Sequence, residues 1–249
     1  MSANETLDQL MPGNLHLWQA KSGHRYSIDA VLLAGFICSI KYRCIADLGT
    51  GNGVLPLLLS HLTRAEAIYG FEIQHSMVQR ARRNVELNGL ENRVTIIEGD
   101  VRSIKKLHPC GSMDLVVSNP PYRSAFSGRI APDGERALAR HELAGTIEDF
   151  ALAAGWLLRS GGVFSVVYLA ERLSPLLAAM TQAGIEPKRL RLVHSTATSS
   201  ARLVLLEGCK GGRPGIEVER PLIVYSDHHE GRSYTEEIER IYSLPGVAR

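Results

Sequence analysis

The stretch Asp47-Leu48-Gly49-Thr50-Gly51-Asn52-Gly53 stands directly behind and overlaps the short apolar run Cys44–Leu48, and its reading decides the fold. A run of that length reads as a strand, and the three glycines behind it make a turn where backbone can approach a ligand closely. Ligands of open α/β sheets bind at the carboxyl ends of the strands, so the turn marks a sheet edge and a binding site together. The spacing is G-x-G-x-G, and Val54 occupies the place where a dinucleotide fingerprint carries Gly or Ala, which argues against NAD. Asp47 would repel a pyrophosphate and suits a ligand that carries an ammonium group.

Outward from this turn, apolar runs alternate with amphipathic stretches. Cys44–Leu48, Ala67–Glu72, Val94–Glu98, Asp114–Asn119, Val163–Leu169, Leu190–His194 and Leu203–Glu207 read as strands. Gly53–His61, Gln74–Asn88, Thr146–Leu158 and Glu171–Ala183 read as helices, the third opened by Thr146 as N-cap and ended near Gly161 and Gly162. The alternation predicts an α/β fold, Rossmann-like, with a mostly parallel seven-stranded sheet and helices on both faces. Only small polar residues, Ser195 to Ser200, separate the last two strands, so they are expected to form a late antiparallel hairpin. A helix is expected over Tyr26–Ile40 after a lead from Asn14 to Arg25, giving residues 1–43 as an N-terminal lead and helix and 44–249 as the main domain with a C-terminal extension. Arg123 to Gly145 reads as a long loop at the edge of the site, Gly208 to Pro221 as an exposed Gly- and Pro-rich tail, and Tyr234–Tyr242 as a small helix.

Composition excludes several classes. An apolar fraction of 45% with 22% charged residues is that of a globular protein and not of a disordered chain. The net charge of +2, from 28 basic and 26 acidic residues, gives no global pull towards a polyanion, so nucleic-acid binding would depend on local patches. The longest apolar stretch, Ala30 to Ile40, is too short to cross a bilayer, and Met1 to Gln9 lacks the layout of a signal peptide; a cytoplasmic protein is expected. Cys38, Cys44, Cys110 and Cys209 make no C-x-x-C pair and no cluster with histidine, so reduced thiols and no metal site are expected.

Acidic residues close the next two strands as well. Gly70-Phe71-Glu72 places a carboxylate able to accept both hydroxyls of a ribose, and Glu98-Gly99-Asp100-Val101 places Asp100 to accept from an adenine amino group while the Val101 backbone donates to a ring nitrogen. Ile73 offers an apolar face to the adenine. Taken singly, a glycine turn or a strand-end acid is ordinary structure. The ordered set of Asp47, Gly49, Gly51, Gly53, Glu72, Ile73, Asp100 and Val101 points to S-adenosylmethionine.

The fourth strand ends in Ser118-Asn119-Pro120-Pro121-Tyr122. The prolines supply no N–H donor and stiffen the turn, and Pro120 pushes Asn119 towards an extended backbone. The Asn119 amide oxygen and the Pro120 carbonyl can then converge on the two hydrogens of one planar amino group, and Tyr122 offers a ring for an extruded base. Asn119, Pro120 and Tyr122 are the candidate catalytic residues, with Asn119 also beside the cofactor.

These residues resemble the class I methyltransferases over about Tyr26 to Glu207, a family in which the positions matching Asp47, Gly49, Gly51, Glu72 and Asp100 hold S-adenosylmethionine. The Asn-Pro-Pro-Tyr tetrad resembles the amino-methyltransferases that act on adenine N6, guanine N2 or a glutamine amide, and by itself does not choose among them. Gln19, Tyr26-Ser27-Ile28-Asp29-Ala30-Val31-Leu32-Leu33-Ala34 and Ala139-Arg140-His141-Glu142 resemble the bacterial tRNA adenine-N6-methyltransferases. That resemblance implies a tRNA substrate and the adenine next to the anticodon of a valine tRNA. An rRNA guanine-N2 or protein glutamine-N5 methyltransferase, or a non-catalytic RNA-binding module, are the alternatives.

Pro121, Arg123 and Arg140 are the candidate substrate-binding residues, with Arg129 and Arg136 in the same loop; against them stand Asp133, Glu135 and Glu142, so a solvated mixed-charge loop is an equal reading. Arg80 with Arg83, and Lys188, Arg189 and Arg191, are expected to be surface charges. Asp227-His228-His229 is expected to be a polar turn, Lys21 and Arg25 to reach cofactor or RNA, and Trp18 and Tyr26 to pack in the core or close over the site.

Overall fold

The computed structural model describes residues 5–13, 15–21, 27–37, 42–121, 145–226 and 233–246. Tyr122, Arg123, Arg140 and most of the expected loop, with Arg25, Tyr26 and Asp227-His228-His229, lie outside the described residues.

The central strands are β3 (Cys44–Leu48), β4 (Ala67–Glu72), β5 (Val94–Glu98), β6 (Met113–Ser118), β7 (Leu158–Leu169), β8 (Ile185–His194) and β9 (Ala201–Lys210). They lie in the order β8-β9-β7-β6-β3-β4-β5. All neighbours are parallel except β9, which runs antiparallel to both β7 and β8. The hairpin expected at the end of the sheet is therefore present, wedged so that its second strand lies inside. Two short strands, β10 (Glu217–Val218) and β11 (Leu222–Ile223), add to the outer side of β8 in parallel, so the sheet has nine strands where seven were expected.

Two hydrophobic clusters flank the sheet. On one face α1 (Ile28–Ile37), α2 (Val54–Leu62), α3 (His75–Leu87) and α7 (Glu236–Tyr242) pack over Ile45, Ile68, Leu115, Val167 and Leu205. On the other, α4 (Ile104–Leu107), α5 (Ile147–Leu157) and α6 (Leu173–Gln182) cover Ala46, Leu48, Val116, Val166 and Leu206. Alternate residues of each strand go to opposite faces, which is why the strands read as continuous apolar runs. The α5 N-terminus carries the expected cap: the Thr146 hydroxyl accepts from Asp149 N, and the Asp149 carboxylate accepts from Thr146 N at 2.8 Å.

Three expectations need correction. The N-terminal segment is not only a lead: β1 (Glu5–Leu10) and β2 (Leu15–Ala20) form an antiparallel hairpin. It is clamped to α3, where Arg80 and Arg83 hold the Glu5 carboxylate at 3.0 and 2.8 Å, so these arginines are structural ties and not surface charge. The α5 helix ends at Leu157 and β7 begins at once, running through Gly161 and Gly162 past a register shift between Met113 and Leu115. The tail from Gly208 is largely engaged: residues 208–210 belong to β9, and Glu217–Val218 pair with β8. There Arg189 and Arg191 bind Glu219 and Glu237, and Arg189 also donates to the Phe36 carbonyl at 2.6 Å in the last turn of α1. These cations, too, join elements.

Candidate active site

Parallel register brings the ends of four strands level: Leu48 pairs with Phe71 and with Ser118, and Glu72 pairs with Glu98. The glycine turn hangs from this edge, Gly49 N and Thr50 N both donating to the Phe71 carbonyl at 2.9 Å. Gly49, Gly51 and Gly53 have φ of 74°, 57° and 87°, in the left-handed region that side chains avoid. A Cβ on Gly51 would meet nothing within 4 Å, so its bare face looks into open space of the kind a ligand fills.

Asp47 is 1% exposed and neither carboxylate oxygen has a hydrogen-bond partner of ordinary geometry. Burial pushes its pKa up to about 7, tempered by the nearby Thr50 hydroxyl and reinforced by Glu72. The Thr50 hydroxyl is itself buried without a well-formed bond. Two orphaned polar side chains under a glycine cradle fit a cationic ligand better than an empty core, since unpartnered buried groups are costly.

The Glu72 carboxylate, 6% exposed, accepts from Gly51 N and from Gln74 N at 2.9 Å each. It thereby ties the turn to the end of β4. A carboxylate has about four lone-pair positions, so these backbone bonds and a ribose diol are compatible. Asp100 differs from expectation: Arg102 grips it as a fork, with Nε at 2.9 Å from both oxygens and a terminal nitrogen at 2.5 Å from one. That bond holds the Asp100 carboxyl below the usual range. An adenine amine arriving there must compete with a guanidinium already in place. Val101 is buried at the start of a short 3-10 turn, and Ile73 is half-buried beside Glu72.

On β6, Ser118 is fully buried and its hydroxyl donates to the Leu48 carbonyl at 2.8 Å, locking β6 to β3. Asn119, Pro120 and Pro121 follow without regular structure, Pro120 buried and the other two half-buried. Trp18 is half-buried, and its ring lies under Arg83, 5.4 Å from the guanidinium. Its carbonyl accepts from Asn84 at 3.2 Å, and the same amide group donates to the Asn52 carbonyl in the glycine turn at 2.9 Å. Asn84 and Ser118 were not singled out from the sequence, because a polar residue in a helix and a serine in a strand carry no local signal of what they hold.

Among the described residues no group of three or more His, Cys, Asp or Glu side chains is placed to hold a metal. No helix among them is long and apolar enough to cross a membrane.

The family model for the methyltransferase small domain matches residues 27–181. The chain belongs to the methyltransferase small-domain family. As a member it is a methyltransferase that takes its methyl group from S-adenosylmethionine. A tRNA1(Val) (adenine(37)-N6)-methyltransferase of Tolumonas auensis is 30% identical over 194 residues, covering 77% of this chain and 78% of that protein. The protein of the same name from Phocaeicola vulgatus is 31% identical over 179 residues, covering 72% and 74%. Among solved structures, an Agrobacterium tumefaciens protein described as a predicted O-methyltransferase superposes with a TM-score of 0.70 at 24% identity, over 86% of this chain and 95% of that one. Methanocaldococcus jannaschii TYW2, solved with AdoMet, gives 0.56 at 15% identity over 84% and 88%. At these identities the two structures speak for the fold of the methyltransferase alone.

Proposed function

We propose that this methyltransferase modifies N6 of an adenine in tRNA, the adenine next to the anticodon of a valine tRNA; its relatives carry the name tRNA1(Val) (adenine(37)-N6)-methyltransferase. The observation that carries the reading is the Asn119–Pro121 turn at the end of β6, bolted by Ser118 to the strand that bears the glycine turn.

Asp47, the glycine turn and Glu72 hold the cofactor's amino-acid and ribose parts, and Ile73, Asp100 and Val101 its adenine. When bound, S-adenosylmethionine supplies a methyl group already activated on a sulfonium, so the chemistry calls for no metal. The chain's task is alignment. The exocyclic nitrogen of adenine is a weak nucleophile because its lone pair is delocalised into the ring. The Asn119 amide oxygen and the Pro120 carbonyl accept its two hydrogens, favouring a pyramidal nitrogen whose lone pair points out of the ring plane. Preorganised dipoles and positioning account for the rate, and the surplus proton leaves to solvent. Tyr122 stacks on the base, with Pro121, Arg123 and Arg140 on the substrate side. Residues 1–43, with the β1–β2 hairpin and α1, brace the site, residues 44–249 form the catalytic domain with its extension, and the compartment is the cytoplasm.

The test is transfer of labelled methyl from S-adenosylmethionine to unmodified tRNA, followed by nucleoside analysis, in the parent chain and in Asn119→Ala. Label in N6-methyladenosine that is lost in the variant is expected. Label in guanine N2 or protein glutamine instead, or none in tRNA, overturns the assignment.

A further inference from the structure

Farther along the edge that carries Asn119–Pro121, on the α1 face, lies a cavity of about 380 Å³. Its walls include Asp29, Leu169, Thr196, Arg202, Leu203 and Tyr225, from the start of α1, the end of β7, the β8–β9 hairpin and the segment after β11. The volume falls within the range of small-ligand sites, about 300–1,000 Å³. Register sets it near the acceptor turn: Ser118 pairs with Val166, so Leu169 lies three residues beyond, about 10 Å along β7 at the rise of a strand.

We propose that this cavity binds an unstacked nucleotide flanking the target adenine, its base on Tyr225 and its phosphate on Arg202. The inference rests on the reading of the acceptor as RNA. Tyr225 is built as a platform. Its ring stacks on Tyr234 at 5.5 Å and 14°, and Tyr234 stacks in turn on Tyr242 at 5.4 Å and 21°. Its backbone N–H donates to the Ser195 carbonyl at 2.9 Å, and Tyr225 bridges Tyr234 across the chain. The ring plane is thus fixed before any base arrives, which lowers the ordering cost of stacking.

Arg202 is exposed and forms no hydrogen bond or ion pair with any described residue, unlike Arg189 and Arg191 on the adjacent strand, which are tied to carboxylates. A guanidinium that no carboxylate of the described residues engages, at the rim of a cavity walled on one side by Tyr225, suits a phosphate. The hydroxyls of Ser195 and Thr196 and the carboxylate of Asp29 line the same space and supply polar groups for a base edge. An aromatic face, a cation and hydroxyls together are nucleotide chemistry.

The test is fluorescence anisotropy of a labelled, unmodified anticodon stem-loop RNA with the parent, Arg202→Ala, Tyr225→Ala and Tyr225→Phe, with S-adenosylmethionine affinity measured alongside by calorimetry. Arg202→Ala is expected to weaken RNA binding about tenfold and to reduce the slope of log affinity against log salt by about 0.7, the share of one phosphate on a single strand. Tyr225→Ala is expected to weaken it about tenfold, and Tyr225→Phe to restore it, because the ring and not the hydroxyl carries the stack. Unchanged cofactor affinity in each variant shows an intact sheet edge. Parent-like RNA affinity and salt slope in Arg202→Ala, or a Phe variant as weak as Ala, overturns the proposal. If the parent transfers no methyl to tRNA, the acceptor assignment fails; the anisotropy series still decides the cavity, since it reads RNA binding without transfer.

Discussion

Replacing Asp47 with Asn should stabilise the cofactor-free protein while weakening its grip on S-adenosylmethionine, and the stabilisation should depend on pH. Burial raises the Asp47 pKa from an ordinary 3.8 to about 7. Between those values the unfolded chain has released its proton and the folded chain keeps it, so raising the pH through this window destabilises the fold. The full penalty, reached above pH 7, is about 4 kcal/mol at about 1.4 kcal/mol for each tenfold change in proton affinity. At pH 5 only about 1.5–2 kcal/mol of it is present. Asn carries no such charge. An amide buried without partners has its own cost, about 1–3 kcal/mol, but this is the same at both pH values and cancels in the comparison. The advantage of Asp47→Asn over the parent should therefore be larger at pH 8 than at pH 5 by about 2–3 kcal/mol. Urea unfolding of both proteins without cofactor, at the two pH values, measures it. A difference in stability that does not change with pH would refute the argument that Asp47 is an unpaired carboxyl held ready for a cation.

Gly51→Ala should leave a folded protein, since the left-handed backbone costs a side chain about 1–2 kcal/mol and the new Cβ meets no protein atom; cofactor affinity by calorimetry should nonetheless fall more than tenfold, because the methyl occupies ligand space. Arg102→Ala frees Asp100 from its fork, and as the pair is half-exposed the gain is small: S-adenosylmethionine should bind about two- to fivefold tighter, and weaker binding would mean that Arg102 itself serves the ligand. Asn84→Ala removes the amide that joins Trp18 to Asn52, and should cost about 1–3 kcal/mol in thermal or urea unfolding, with a blue or red shift in Trp18 emission marking release of the hairpin.

Much of the scaffold was legible because its signals are local. Cys44–Leu48, Ala67–Glu72 and Val94–Glu98 agree with the strand ends, since each is an apolar run cut off by glycine or acid. The N-terminal hairpin was not legible. In β1 the fully buried Leu10 stands three residues from the exposed Leu7, so no alternation betrays a strand, and what holds it is Glu5 meeting arginines some 75 positions away. The start of β7 was hidden by Gly161 and Gly162, which read as a helix stop although the chain bends there inside a strand. In the site, the acids read from the sequence lie at or just past the ends of three neighbouring strands, but only the fold reveals that Arg102 already occupies Asp100 and that Ser118 bolts two strands together. The cavity by Tyr225 had no signature, because its walls come from α1 and from strands more than 130 residues later.

The two-residue strands β10 and β11 have a consequence for how copies of the protein meet. An unshielded edge strand offers a row of donors and acceptors to any passing chain, the usual seed of aggregation. Here one rim, β8, is sheathed by β10 and β11, and at the other rim Arg82 places its guanidinium on the Ile96 carbonyl of β5. Cutting the chain before Glu217 would strip that sheath along with the wall of the cavity, and a truncated enzyme would be lost first to self-association, before any question of chemistry arose.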